Sequence, residues 1–521
     1  MIELRDVTYS YPETEAPVLR DLSLNISEGE FLLVIGASGS GKSTLLRCLN
    51  GLVPHFYGGR FRGSIRVAGR DPLARGPRGM SSAVGFVLQD PESQFVVDSV
   101  EDELAFAMEN HNLEPALMRK RIEEALDQIS IAHLRHRKIS TLSGGEKQRV
   151  AIGAVLTLQP KILVLDEPTS QLDPQAAEEV LTTLQKLNTD LGLTIVLSEH
   201  RLERVVQYAD RVLYLPGPGQ DPLLGSPRDV LAQVDLMPPL VRLARELQWE
   251  PLPLTIKEGR RFAKSLNLPT TVSDVRNGDQ RRRRPGHDSV IEVRDVWFSY
   301  NGHEALKGIN LSVGPGELVA LMGRNGSGKT TLLKHLVGLL RPDRGHVDLW
   351  GESTKCQEVQ TIARRVGYVP QDPGSLLFAD TLRAELDFTL RSHKLPTTGY
   401  QDVLESLHLS PFIESYPRDL SGGERQRAAL AAILVADPDV ILLDEPTRGL
   451  DYYQKQSLSD FLSQKRAAGK AVIMSTHDVE LVARCADRVV ILGEGQVVVD
   501  GPAREVMSNS MVFASQVNKL F

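Results

Sequence analysis

Two stretches of this chain combine residue types and spacing that suit phosphate binding: Gly36-Ala-Ser38-Gly39-Ser-Gly41-Lys42-Ser43-Thr44 and Gly323-Arg-Asn325-Gly326-Ser-Gly328-Lys329-Thr330-Thr331. Glycines let a backbone wrap closely round a phosphate while its amides, and the start of a following helix, face the negative charge. Lys42 and Lys329 are placed to reach the terminal phosphates of a nucleotide, and the Ser43 and Thr330 hydroxyls to ligate Mg²⁺. A glycine-rich turn can arise by chance, but the same string twice in register is a phosphate loop.

A second chemistry follows in each half. Lys161-Ile-Leu-Val-Leu-Asp166-Glu167 and Val440-Ile-Leu-Leu-Asp444-Glu445 end apolar runs with two carboxylates. Ligands of open α/β sheets bind at the carboxyl ends of strands. Successive side chains there point in different directions, so the pair can divide the work. Asp166 and Asp444 would hold the metal shell, and Glu167 and Glu445 would face an attacking water as base or polariser. An acidic pair at a strand end is commonly just a solvated turn. The preceding phosphate loop, at matching spacing in both halves, favours the catalytic reading.

These residues need a sheet to hold them. Phe31-Leu-Leu-Val-Ile35, Ile162-Leu-Val-Leu165 and Thr194-Ile-Val-Leu197 are matched by Leu318-Val-Ala-Leu-Met322, Val440-Ile-Leu-Leu443 and Ala471-Val-Ile-Met474. Short continuous apolar runs separated by helical stretches predict an α/β fold with a parallel sheet covered on both faces. The halves also echo each other at the start, where Ile2-Glu-Leu-Arg-Asp-Val-Thr-Tyr-Ser-Tyr11 returns as Ile291-Glu-Val-Arg-Asp-Val-Trp-Phe-Ser-Tyr300. The offset drifts from 289 there to 277 at His200 and His477, which describes one duplicated domain with small loop deletions in the second copy. The expected boundaries are 1–235, a linker over 236–288, and 289–521. The linker contains Pro251, Pro253, Pro269 and Pro285 and the run Arg281–Arg284, and reads as a connector with at most a helix or two.

Composition narrows the partners. The chain has 521 residues, 41% of them hydrophobic and 24% charged, which is the usage of a folded globular protein. A net charge of −7 lacks the footprint of a dedicated nucleic-acid binder, so no nucleic acid is expected. Cys48, Cys356 and Cys485 are too few and too scattered for a disulfide framework or a metal cluster, and fit a reducing cytoplasm. No run reaches the roughly 18 apolar residues of a membrane span, and the opening Met1–Asp6 does not read as a signal peptide. Contact with a membrane is therefore expected through partners.

Between the loops and the carboxylates lie Leu142-Ser143-Gly144-Gly145-Glu146 and Leu420-Ser421-Gly422-Gly423-Glu424. A serine hydroxyl and glycine amides at a helix start can form a second anion-binding nest. This string resembles the signature of ATP-binding cassette (ABC) ATPases, and the resemblance covers the chain outside the linker. It implies two tandem P-loop NTPase domains, each with a mainly parallel sheet core, an antiparallel β subdomain and a helical subdomain, using ATP and Mg²⁺. It further implies that Gln89 and Gln371 are the glutamines that sense metal and lytic water. Asp173 and Asp451 are similar to the family's D-loop aspartates, and His200 and His477 to the switch histidines that contact the γ-phosphate. Tyr11 and Tyr300 match the aromatic on which adenine stacks, although ordinary packing would explain either. In the family two cassettes meet head to tail. One site would then combine Lys42, Ser43, Gln89, Asp166, Glu167 and His200 with Ser421 and Gly423. The other would combine Lys329, Thr330, Gln371, Asp444, Glu445 and His477 with Ser143 and Gly145.

Three function classes compete: the ATPase of an importer, a soluble tandem cassette protein acting on ribosomes, and a tandem importer ATPase of the sugar type. Both halves keep the lysine, glutamate, signature and histidine, against the decayed site usual in the sugar type. The proline-interrupted linker is unlike the long charged helical connector of the ribosomal class. Gln89-Asp-Pro-Glu-Ser-Gln-Phe95, the following Asp98–Phe106, and Asn50-Gly-Leu-Val-Pro-His-Phe-Tyr57 resemble energy-coupling-factor (ECF) ATPases. That likeness implies uptake of a thiamine precursor or other vitamin, or of a cobalt or nickel ion. The partners would be a transmembrane coupling subunit and a substrate-binding membrane subunit, at the cytoplasmic face of the cell membrane. Ser99 and Asp102 read as a helix cap. Leu104, Phe106 and Met108 read either as a groove for a coupling helix or as core packing. Gln371-Asp-Pro-Gly-Ser-Leu-Leu-Phe378 lacks the Gln-Phe pair, which suggests that the two halves meet different surfaces.

Overall fold

The computed structural model describes every residue except 13, 15, 218, 267–288 and 511–512. The described chain divides into two compact units, Met1–Gly259 and Arg260–Phe521.

In the first unit a six-stranded sheet runs in the order Val84–Val87, Ile162–Asp166, Thr194–Ser198, Phe31–Ile35, Arg211–Tyr214 and Leu223–Gly225. The first five strands are parallel and the last is antiparallel. Phe31–Ile35, Ile162–Asp166 and Thr194–Ser198 are buried at every position. Covered on both faces, these strands need apolar residues throughout rather than alternation. A separate three-stranded antiparallel sheet, Leu19–Ile26, Ile2–Ser10 and Arg60–Val67, supplies the β subdomain. The helices Val100–Asn110, Pro115–Gln128 and Gly144–Leu156 pack together as the helical part. Gly153 lets them approach, since a Cβ there would lie 2.4 Å from Ile129 Cδ1 and 3.1 Å from Leu104 Cδ2.

The second unit repeats the plan. Its six strands run Val366–Val369, Val440–Asp444, Ala471–Ser475, Leu318–Met322, Arg488–Gly493 and Gln496–Pro502, again with only the last antiparallel. The antiparallel sheet has four strands: His303–Val313, Ile291–Tyr300, Arg344–Leu349 and Glu352–Ser353. The α/β fold expected from the apolar runs is the one observed.

The expected linker holds two helices, Pro239–Glu246 and Ile256–Ala263. Leu240, Val241, Ala244 and Trp249 are buried, and Arg228 bonds the Leu252 carbonyl at 3.0 Å and Glu258 at 2.9 Å. The run Arg281–Arg284, with Pro269 and Pro285, lies outside the described residues.

One sequence alternative is decided by packing. Leu104 and Met108 are fully buried, so both belong to the core rather than to a groove, while Phe106 is half-buried. Their helix starts as expected, with the Ser99 hydroxyl accepting from the Asp102 amide.

Candidate active sites

Each phosphate loop leaves the end of a central strand and enters a helix, Lys42–Leu49 or Lys329–Leu336. A Cβ at Gly36 would lie 2.4 Å from the Leu215 carbonyl, and one at Gly323 2.2 Å from that of Leu492, so neither position admits a side chain. Gly41 and Gly328 stand at φ 98° and 101°, the left-handed turn into the helix. Gly39 and Gly326 face open space. Lys42 and Lys329 are buried, and each ammonium is held by two carbonyls of its own loop. For Lys42 these are Gly36 and Ala37, at 3.0 and 2.9 Å. For Lys329 they are Gly323 and Arg324, at 2.8 and 3.1 Å.

The strand-end carboxylates come next. In the first unit Asp166 Oδ1 accepts from Ser43 Oγ at 3.1 Å and from Ser198 Oγ at 2.7 Å. Burial, reinforced by the Glu167 charge, pushes the Asp166 carboxyl up, against the pull of those two hydroxyls. In the second unit Asp444 accepts from Ser475 Oγ. Burial and then the neighbouring Asp444 carboxylate push the Tyr368 phenol up; the first unit has Phe86 at that strand position. Ser198 and Ser475, which end the next strand, escaped the sequence reading. Their partner role depends on strand pairing, Asp166 beside Ser198 and Asp444 beside Ser475, which no local string reveals.

Glu167 is gripped at both oxygens, Gln89 Nε2 donating at 2.8 Å and His200 Nε2 lying 2.7 Å away. Its backbone is left-handed, φ 48°, and that of Glu445 matches at 50°. In the second unit His477 Nε2 lies 3.1 Å from Glu445 Oε1 and 2.9 Å from Asn325 Oδ1. Gln371 is exposed, and its side chain makes no hydrogen bond to Glu445 among the described residues. The first unit thus gathers Lys42, Ser43, Gln89, Asp166, Glu167 and His200. The second gathers Lys329, Asp444, Glu445, His477 and Asn325, with Thr330 next to Lys329 at the start of its helix.

Ser143 and Ser421 cap the helices Gly144–Leu156 and Gly422–Leu434. Glu146 and Glu424 close the box by accepting from the serine amides at 2.7 and 2.9 Å. The signature glutamate is therefore a helix-start device, legible in the Ser-x-x-Glu spacing though the sequence reading passed over it. Gly145 and Gly423 are buried beside the segments around Asp173 and Asp451, where a Cβ would lie 2.7 Å from Ala176 Cβ or 2.9 Å from the Gly449 carbonyl. Asp173 and Asp451 cap the next helices, accepting from the amides of Ala176 and Gln454, both at 2.9 Å.

The two aromatics differ. Tyr11 is tied down, its hydroxyl 3.0 Å from Thr44 Oγ1 and its ring edge-on to Tyr9 and Tyr57. Tyr300 is 43% exposed and touches Phe298 edge-on, so its ring retains open surface for a base.

The donors suit Mg²⁺, being hard oxygens: a hydroxyl and a carboxylate in each unit. Among the described residues no group of three His, Cys, Asp or Glu forms a protein cage, and this ion typically takes one or two carboxylates plus substrate phosphates and water. Ser40 Oγ and Ser327 Oγ, buried inside the two phosphate loops, find no hydrogen-bond partner among the described residues. This orphaned polarity fits loops built to surround a phosphate.

The family model described as ABC transporter matches residues 19–170 and 306–448, which span both phosphate loops and both signatures. The chain belongs to the ABC transporter family. An ABC transporter ATP-binding protein of Streptomyces coelicolor is 46% identical over 546 residues, covering 100% of this chain and 97% of that protein. Another, of Methanosarcina acetivorans, is 37% identical over 98% of this chain and 86% of its own length. Among solved structures, an archaeal ribosome recycling factor bound to a ribosomal stalk protein shares the fold at a TM-score of 0.61. It is 22% identical over 96% of this chain and 91% of its own. Membership of this ABC ATP-binding family implies nucleotide binding, usually with Mg²⁺, and ATPase activity. Among the described residues no helix is long and apolar enough to cross a membrane.

Proposed function

We propose that this ABC protein is the ATP-binding subunit of an ECF-type importer. It would couple ATP hydrolysis to uptake of a vitamin, a thiamine precursor or a transition-metal ion through a transmembrane coupling subunit and a substrate-binding membrane subunit. The observation that carries it is the grip on Glu167: Gln89 and His200 both reach the would-be base, and Gln89 opens the Gln89–Phe95 loop, exposed at Asp90, Glu92 and Ser93, whose sequence resembles ECF ATPases. A single residue then stands both at the reacting centre and at the start of a loop suited to meeting a partner.

In this reading the cassettes are 1–235 and 289–521, joined by 236–288, and each ATP is held by one cassette's phosphate loop and the other's signature. Ser421 and Gly423 complete the first site; Ser143 and Gly145 complete the second. Mg²⁺, when bound, neutralises charge developing on the phosphates. Lys42 and Lys329 turn from their loop carbonyls to the phosphates, Ser43, Thr330, Asp166 and Asp444 hold the metal shell, and Glu167 and Glu445 take the proton of the attacking water. His200 and His477 orient those carboxylates and face the γ-phosphate.

The double variant Glu167→Gln, Glu445→Gln is expected to lower hydrolysis by about a hundredfold or more, the scale of general-base catalysis, while nucleotide binding persists. Undiminished turnover would refute the site assignment. Co-purification from membranes with an integral membrane protein is expected; fractionation with ribosomes instead would favour a soluble tandem ATPase.

A further inference from the structure

The residue before each switch histidine differs between the units: Glu199 in the first, Thr476 in the second. Glu199 is 1% exposed, an unusual place for a carboxyl group, and the assignments above leave it without a role. Its two oxygens are both used. Oε1 accepts from the Thr169 hydroxyl, in the segment that runs from Glu167 towards Asp173, and Oε2 accepts from the His200 amide at 3.1 Å. The titratable groups facing it are Glu167 and His200. In the second unit the corresponding link is a hydroxyl pair, Thr447 Oγ1 to Thr476 Oγ1 at 3.5 Å, the outer limit of a hydrogen bond.

We infer that Glu199 is a positioning residue of the first catalytic centre, bracing the backbone of His200 against the segment that follows Glu167. The inference rests on the roles proposed for Glu167 and His200. A buried brace joining the two segments that carry base and switch restricts how far one moves relative to the other, and misplacement of reacting groups by an ångström is costly in rate. Burial pushes the Glu199 carboxyl up, the Thr169 hydroxyl opposing and the Glu167 charge adding to it. Glutamine has nearly the same shape: its carbonyl can accept from the His200 amide while its amide group donates to the Thr169 hydroxyl oxygen. In the second centre the hydroxyl link is looser, and the His477 amide donates instead to Glu445 Oε2 at 3.3 Å.

The test uses the full-length chain and steady-state hydrolysis of Mg·ATP. Glu199→Ala is expected to lower kcat by about fivefold to tenfold with KM for ATP within about twofold, the pattern of a contact that matters in the reacting state rather than in binding. Glu199→Gln is expected to restore kcat to within about twofold of the parent, as a residue acting through shape and hydrogen bonds rather than charge should. Glu199→Thr, which installs the second unit's residue, is read instead if the alanine chain does not fold, and should fall on the alanine side. A parental kcat in the alanine and threonine variants overturns the inference. So does a glutamine variant as impaired as alanine, or a rise in KM with kcat unchanged. Parental hydrolysis in the Glu167→Gln, Glu445→Gln chain would instead remove the site reading beneath it, so the two failures are told apart.

Discussion

Asn325 Oδ1 lies 2.9 Å from His477 Nε2, joining the phosphate loop of the second unit to the histidine that follows the strand Ala471–Ser475. The same Nε2 is 3.1 Å from Glu445 Oε1, so one ring nitrogen faces both the phosphate loop and the strand-end carboxylate. A net hydrogen bond of this kind contributes about 0.5–1.5 kcal/mol. Asn325→Ala should therefore raise the dissociation constant of the second site for ATP by about twofold to tenfold. Titration with a fluorescent ATP analogue checks this, and an unchanged constant would remove the amide from the site.

The glutamines should not be equivalent. Gln89 donates to Glu167 at 2.8 Å, whereas Gln371 makes no such bond to Glu445 among the described residues. Gln89→Ala is expected to slow hydrolysis by about fivefold and Gln371→Ala by less than about twofold, as follows if one side chain orients its base and the other does not. Steady-state rates of the two single variants decide it, and equal effects would contradict the difference.

A methyl group at Gly36 or Gly323 would fall 2.4 or 2.2 Å from a backbone carbonyl that cannot yield. Each alanine substitution should cost about 1–3 kcal/mol of stability through overpacking. It should also abolish the rise in melting temperature that Mg·ATP gives the parent chain, because ligand stabilisation requires an intact site. Thermal melts with and without Mg·ATP test both parts.

Core and surface separate cleanly on one helix. Leu104 is 0% exposed, and Leu104→Ala should cost about 2–5 kcal/mol in urea unfolding. Phe106 is half-buried, so Phe106→Ser should leave more of the stability intact while weakening co-purification with a membrane partner. A serine variant that keeps its partner would place the docking surface elsewhere.

The parallel sheets, the two phosphate loops and the strand-end carboxylates were legible because each is written in a contiguous string. Apolar runs buried on both faces, glycines at forced turns and a capping serine are local necessities. What escaped the sequence lies between strings. Ser198 reaches Asp166, and Glu199 reaches Thr169, only because the strands Ile162–Asp166 and Thr194–Ser198 lie side by side. The helix Val100–Asn110 was ambiguous for a similar reason. Which of Leu104, Phe106 and Met108 faces the core depends on its contact with Gly144–Leu156, and Gly153, the residue that allows the approach, is remote in sequence. The tethering of Tyr11 by Thr44 was equally hidden, since a ring that stacks on a base and a ring that packs on its neighbours are spelled alike.

Glu167 and Glu445 share a left-handed backbone, φ 48° and 50°, that costs a residue with a Cβ about 1–2 kcal/mol relative to an ordinary conformation. Glycine would relieve that cost at both positions. A mutant library sorted only for heat resistance would accordingly drift towards glycine at 167 and 445, enriching well-folded chains that have lost the proposed base. Thermostabilising this protein therefore calls for a selection that scores turnover alongside folding.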